Sequence, residues 1–276
     1  MYIDGTCFYV LILLCCSNLV RYKPKFNYYL LIDVFRNYTF DFWIHELDFT
    51  ERFKMIFYGS LILWSLTVAF GPYDVTQGIS SKLLYVHVPT VWIAYLGYSL
   101  TFVYSLLYLV KKDHKYDALA SSNAKSGVIF TVTTLVAGSA WGKATWGTWW
   151  VWGDARLNLT AILLLVYLGY LASRKFTDDL GKTSRNSAFI GIFGIIQLPI
   201  LHFSVIWWRS VHQQASILSQ EAVSTGNAPM SSDILTTLLV SVLLVTLLHF
   251  SLLKRFKTNA DNSWNDYLNP KNRVKI

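Results

Sequence analysis

Charged side chains are scarce in this sequence. Only 14% of its 276 residues are Asp, Glu, Lys or Arg, whereas 54% are hydrophobic and 16% aromatic; an ordinary soluble domain carries about 25% charge. Such a composition fits a lipid bilayer better than water. Cysteine is also sparse: Cys7, Cys15 and Cys16 all lie in the first apolar stretch. The rest of the chain therefore has no disulfide framework, CxxC zinc clamp or CxxCH attachment site. A phosphate loop is missing too. GKTS at Gly181 to Ser184 lacks the glycine five positions earlier, where Phe176 stands, and no buried strand precedes it, which excludes ATP binding through this motif. The net charge of +8 comes from short basic clusters between apolar runs. These read as topology signals and give no case for nucleic acid.

Long apolar stretches are what the chain does have. About 20 apolar residues in a helix cross roughly 30 Å of hydrocarbon, because backbone polar groups in lipid must be satisfied within the helix. Six segments meet this requirement: Met55 to Phe70, Val88 to Val110, Gly127 to Ala140, Leu157 to Ala172, Ala188 to Ile206 and Ile234 to Leu253, the third and fourth borrowing flanking residues. Lys and Arg alternate accordingly. Six lie between Arg21 and Lys54, four between Lys111 and Lys125, four between Arg174 and Arg185 and six from Lys254 onward, leaving Lys82, Lys143, Arg156 and Arg209 for the other side. The positive-inside rule then puts both ends of the six-helix unit inside and three loops outside.

The expectation is an all-α, polytopic membrane helical bundle with six transmembrane helices at 55–253 and an inner-side polar tail at 254–276. Residues 1–54 form an N-terminal hydrophobic extension whose 14-residue apolar run, Cys7 to Val20, is either a further span or an interfacial segment. The absence of an Arg-rich transit peptide fits a bacterial or organelle-encoded protein. The mitochondrial inner membrane is the favoured location, with the bacterial cytoplasmic membrane as the alternative.

The inner loops, KKDHK and RKFTDDLGKTSR, read as solvated charged connectors. The outer loops differ, holding seven of the eleven tryptophans. An aromatic belt explains scattered tryptophans. It explains less well the five within twelve residues, Trp141, Trp146, Trp149, Trp150 and Trp152, interleaved with glycines and closed by Asp154 and Arg156. A functional aromatic platform accounts for these better. His87 precedes Val88 and Pro89, where proline is expected to open the next helix and leave the imidazole at its outer mouth. His202 and His212 compete to be its partner. On a continuous helix they would be separated by about 1000° of rotation and about 15 Å of rise, so they cannot share one small site. His212 lies at the level of the other outer loops and is preferred. Two outward histidines flanking a flat aromatic surface suit a planar cofactor with two axial positions, and haem is the obvious one. Arg156, Arg209 and Lys143 are candidate partners for its propionates.

The runs LYVHVPTVW, GSAWGKATWGTWWVWGDARL and LPILHFSVIWWRSVHQ resemble the haem exporter protein C (CcmC) family of cytochrome c maturation, over about Met55 to Leu253. The tryptophan-rich run matches the WWD segment shared by haem-handling assembly proteins. The resemblance implies that His87 and His212 are axial ligands of the haem iron. It also implies that Trp146, Gly147, Trp149, Trp150, Trp152, Asp154 and Arg156 present the ring. It further implies a non-enzymatic protein that binds haem b transiently and non-covalently, loads the chaperone CcmE and works alongside CcmA, CcmB and CcmD. A haem lyase and a transmembrane haem transporter are the alternatives. The family usually reads WVWDARLT, so Gly153 is an insertion here and Asn158 replaces a threonine. An extra residue would shift Asp154 and Arg156 unless the loop absorbs it.

Overall fold

The computed structural model describes residues 49–176, 178–208, 210–212 and 230–269. The extension at 1–48, Arg209 and the end of the polar tail lie outside the described residues. Seven α-helices follow in order among the described residues: α1 Phe49–Phe70, α2 Leu84–Lys111, α3 His114–Trp146, α4 Ala155–Ser173, α5 Leu180–Gly194, α6 Gln197–Trp207 and α7 Ser232–Leu268, with a 3-10 turn at Gly78–Leu83 leading into α2. No strand occurs among the described residues.

The all-α polytopic bundle is as expected. Among the described residues five stretches are long and apolar enough to cross a membrane, one of them the α5–α6 pair taken together. The third expected span falls inside the 33-residue α3, which buries Ser121, Ser122, Asn123, Ser126, Gly127 and Thr131 along its length. Small and polar residues fill the buried face of this helix, while Ile129, Val132 and Val136 on it are exposed. Its hydroxyls bond back to its own carbonyls, Ser122 to Ala118 at 2.6 Å and Thr131 to Gly127 at 2.7 Å, which removes much of their cost in an apolar setting. A Cβ at Gly97 of α2 would sit 3.2 Å from the Gly127 Cα; the two backbones meet there because neither residue has a side chain. Around this contact Tyr98 stacks on Tyr167 of α4 at 3.6 Å, in a core completed by Leu163, Leu198 and Leu201.

Two prolines depart from expectation in instructive ways. Pro89 lies inside α2, which begins at Leu84, so His87 belongs to the helix and does not stand before it. Proline cannot donate to the carbonyl four residues back, and that carbonyl, on Tyr85, instead accepts the Trp64 indole N–H of α1 at 2.9 Å. Pro199 falls four residues after Ile195, where the fifth expected span breaks into α5 and α6. A continuous helix would press the proline ring against the Ile195 carbonyl. Across the break the Gln197 amide donates to the Leu159 carbonyl of α4 at 2.7 Å.

The end of the bundle remote from the tryptophan loop also corrects the sequence reading. Arg174 opens the loop RKFTDDLGKTSR read as a solvated connector, and Asp117 lies two residues beyond KKDHK, yet they form a largely buried bidentate pair at 2.7 and 2.8 Å. Arg174 donates as well to Ser187 at 2.9 Å, and Trp264 of α7 donates to Asp117 at 2.8 Å. Helix α7 thus runs unbroken past Leu253 and is fastened to α3, α4 and α5 at this end.

Candidate functional site

His87 is seated by the close approach of α2 and α3. A Cβ at Gly138 would lie 2.7 Å from its Cε1, so glycine at that position makes room for the ring. His87 Nδ1 is 3.0 Å from the Thr134 carbonyl oxygen. A carbonyl can only accept, so Nδ1 carries the proton and Nε2 keeps its lone pair.

His212 reaches the same region from beyond α6. The local anchor is Asp154, which is buried and caps α4 by accepting from the Leu157 N–H at 3.0 Å. Its other oxygen accepts from Ser210 Oγ at 2.6 Å and from the Val211 N–H at 2.9 Å. His212 Nδ1 faces this carboxylate at 3.4 Å. Burial, the largest influence on His212, pushes its pKa below the ordinary histidine value against the opposing pull of Asp154. The shift favours the neutral ring, and at 3.4 Å Nδ1 approaches the carboxylate without a hydrogen bond to it. For Asp154, burial works to raise the pKa, but the donors from Ser210, Leu157 and Val211 and the nearby His212 outweigh it and keep the carboxylate ionised.

Both imidazoles line one cavity of about 90 Å³, together with Tyr95, Thr134, Gly138 and Arg156. Arg156 donates to the His202 carbonyl at 2.8 Å, while its buried Nε has no hydrogen-bond partner. His202 packs on Tyr95 and does not line the cavity. It lies in α6, which ends at Trp207 before His212, so the continuous helix assumed in comparing the two histidines does not exist. Among the described residues no group of three or more His, Cys, Asp or Glu side chains could hold a bare metal ion. Two imidazoles fit a metal whose macrocycle supplies the other donors.

Beyond this geometry, residues 45–263 match the family model for CcmC, heme exporter protein C. The chain belongs to the CcmC family. It is 37% identical over 184 residues to heme exporter protein C of Bradyrhizobium diazoefficiens, covering 67% of this chain and 68% of that protein. It is 35% identical over 181 residues to the Escherichia coli K12 protein of the same name, covering 66% and 74%. A ccmC-like mitochondrial protein of Marchantia polymorpha, named for cytochrome c biosynthesis, is 42% identical over 152 residues, covering 55% of this chain and 64% of its own length.

The tryptophans of the outer loop differ in their settings. Trp146, at the end of α3 just before Gly147 (φ +77°), meets His212 edge to face at 5.0 Å. Trp150 donates to Asn158 at 3.3 Å, and Asn158 donates to the Trp152 carbonyl at 2.6 Å; the residue that departs from the usual motif therefore braces the loop. Trp149 and Trp152 are 57% and 83% exposed and present a surface rather than line the cavity. Trp141, one of the five clustered tryptophans but outside the set that the resemblance assigns to the ring, packs edge to face with His87 at 6.2 Å and is tied to Gln77 at 2.9 Å. Its place five residues before Trp146, on the same helix, was the available signal. Lys143 donates to the Gly147 carbonyl at 2.8 Å and so supports the turn.

Gly153 is absorbed by a turn in which the Asp154 N–H bonds to the Val151 carbonyl at 3.0 Å, leaving Asp154 in register to cap α4. Its φ is not positive, and a Cβ there would meet nothing within 4 Å. Gly153→Ala is therefore expected to change stability by less than about 0.5 kcal/mol, whereas Gly147→Ala, forced into left-handed backbone, should lose about 1–2 kcal/mol. Thermal unfolding in detergent compares the two.

Proposed function

We propose that this CcmC-family chain binds haem at the outer face of an energy-coupling membrane, with His87 and His212 as the two axial ligands, and hands it to the chaperone CcmE. The observation that carries this reading is the convergence on one cavity of two imidazoles, one from α2 and one from the chain beyond α6, with His87 Nδ1 bonded to the Thr134 carbonyl and His212 Nδ1 facing the Asp154 carboxylate at 3.4 Å. For His87 that contact fixes the donor tautomer before haem arrives, so little is lost in ordering this ligand. The relatives named heme exporter proteins support haem as the cargo. At about 90 Å³ the cavity is below the roughly 300 Å³ at which ligand pockets begin. A whole macrocycle therefore needs the adjoining tryptophan surface as well, with Trp146 beside His212. The exposed Trp149 and Trp152 would leave an edge of the ring presented to the partner. Arg156, whose Nε has no protein partner, is suited to a propionate.

Haem b would be held without a covalent bond and released by ligand exchange, with no chemistry catalysed on it by this chain. CcmA, CcmB and CcmD are the expected company, the six-span unit at 55–253 the functional part, and the mitochondrial inner membrane the favoured location. The test is haem titration of the purified full chain in detergent, followed by addition of the soluble domain of CcmE. A stoichiometric six-coordinate low-spin spectrum that decays as the chaperone acquires haem is expected. A five-coordinate spectrum, or haem that stays put, would overturn the assignment.

A further inference from the structure

The two imidazoles are anchored by different means. His87 stands within α2, its ring pressed against Gly138 and bonded to the Thr134 carbonyl, both on α3. Displacing it requires separating two helices that pack backbone against backbone at Gly97 and Gly127. His212 follows the end of α6 on non-helical chain. What fixes its segment is Asp154: two closed bonds from Ser210 Oγ and the Val211 N–H and a third, longer approach of 3.4 Å to the ring nitrogen. Ser210 Oγ also accepts from the His212 N–H at 3.1 Å, so the carboxylate, the hydroxyl and the imidazole segment form one connected unit. Because the same carboxylate caps α4 at the close of the tryptophan loop, that loop and the His212 segment share a single anchor.

From this asymmetry we infer that Asp154 is a positioning residue, a latch that holds His212 in place, so that His212 is the axial ligand that leaves during haem transfer while His87 stays on the iron. The inference rests on the two-histidine reading above. In the exchange the iron–nitrogen bond to His212 breaks, an incoming donor bonds to the same coordination position, and the iron keeps its oxidation state. Opening the latch breaks hydrogen bonds to one side chain and leaves the α2–α3 packing intact.

Carbon monoxide is a suitable incoming donor for the test, since on the reduced, haem-loaded full chain it must replace one axial ligand. Asp154→Asn retains the helix cap, because Asn caps as well as Asp, but removes the charge and one acceptor site. It is expected to speed carbon monoxide binding roughly tenfold or more, the usual scale for losing the group that orients a metal-bound histidine. Ser210→Ala, which leaves the cap untouched, should act in the same direction to a smaller extent. In a His212→Ala background the Asp154→Asn effect should vanish. Unchanged rates in both variants with the six-coordinate spectrum intact would overturn the latch alone, as would an Asp154→Asn effect that persists without His212. A wild-type spectrum that is not six-coordinate overturns the two-histidine reading, and the latch with it.

Discussion

A His87→Ala, His212→Ala double variant that inserts normally is expected to purify without a Soret band. Each single variant should keep a weakened, five-coordinate spectrum that millimolar imidazole restores. The expectation follows from the donor set. His87 and His212 are the two histidines lining the cavity, and the other described histidines have different settings. His249 is fully buried and bonded to Ser126 at 2.7 Å, His202 packs on Tyr95, and His114 lies against Trp264 near the opposite end of the bundle. The tryptophan surface still offers stacking once both imidazoles are gone, but stacking supplies no ligand to the iron, and an iron without protein ligands exchanges freely with detergent and water. His202→Ala and His249→Ala serve as controls and should leave the spectrum in place. A normal haem spectrum in the double variant would sink the axial assignment.

Asp117→Ala is expected to cost about 3–5 kcal/mol, because it leaves the Arg174 guanidinium buried without its counter-charge. It also removes the acceptor for the Trp264 indole. Arg174→Met alone should cost a similar amount, because it leaves the Asp117 carboxylate buried without its counter-charge, whereas the Asp117→Leu, Arg174→Met double variant, which removes both charges, should be milder than either single change. Unfolding of detergent-solubilised protein, by heat or by SDS titration, distinguishes them. The haem spectrum of the folded fraction should be unchanged in all of them, since 29 residues of α3 separate Asp117 from Trp146, about 44 Å at 1.5 Å per residue. A loss below about 0.5 kcal/mol, the scale of an ordinary surface substitution, would mean that the pair is solvated.

This contrast shows which parts of the molecule are legible in its sequence. Hydropathy and the placement of Lys and Arg report on contact with lipid and with the translocation machinery, and they found the spans. They are blind to whether a charge near a membrane edge turns outward or inward, so Arg174 looked like a connector residue and Asp117 drew no reading until helix packing placed them together. The break at Ile195–Ile196 was legible in principle, because Pro199 forbids the bond to Ile195, but an apolar run long enough for one span hid it. Pro89 illustrates the opposite error: it suggested a helix start, whereas a tertiary donor, Trp64, satisfies the carbonyl it orphans. Within the candidate site, residue type and loop position picked out His87, His212 and the tryptophans. The parts that aim them could not be found that way. Thr134 acts through a backbone carbonyl and Gly138 through a missing side chain, neither of which marks itself in a single sequence. Asp154 was visible as a motif residue, and an Asp ahead of an apolar run is a helix-start signal, but its hold on Ser210 and Val211 depends on chain 56 and 57 residues away.

The make-up of α3 also bears on how the chain enters the bilayer. A helix lined with serine, threonine and asparagine partitions poorly into lipid as an isolated segment, and α3 is absent from the stretches apolar enough to cross unaided. Its predecessor α2 is among them, and only Lys112 and Asp113 separate the two. Synthesis delivers α2 first, and the glycine face at Gly97 is then the surface on which Gly127 can settle. The third span thus enters as the returning arm of a hairpin, with the second span as its solvent.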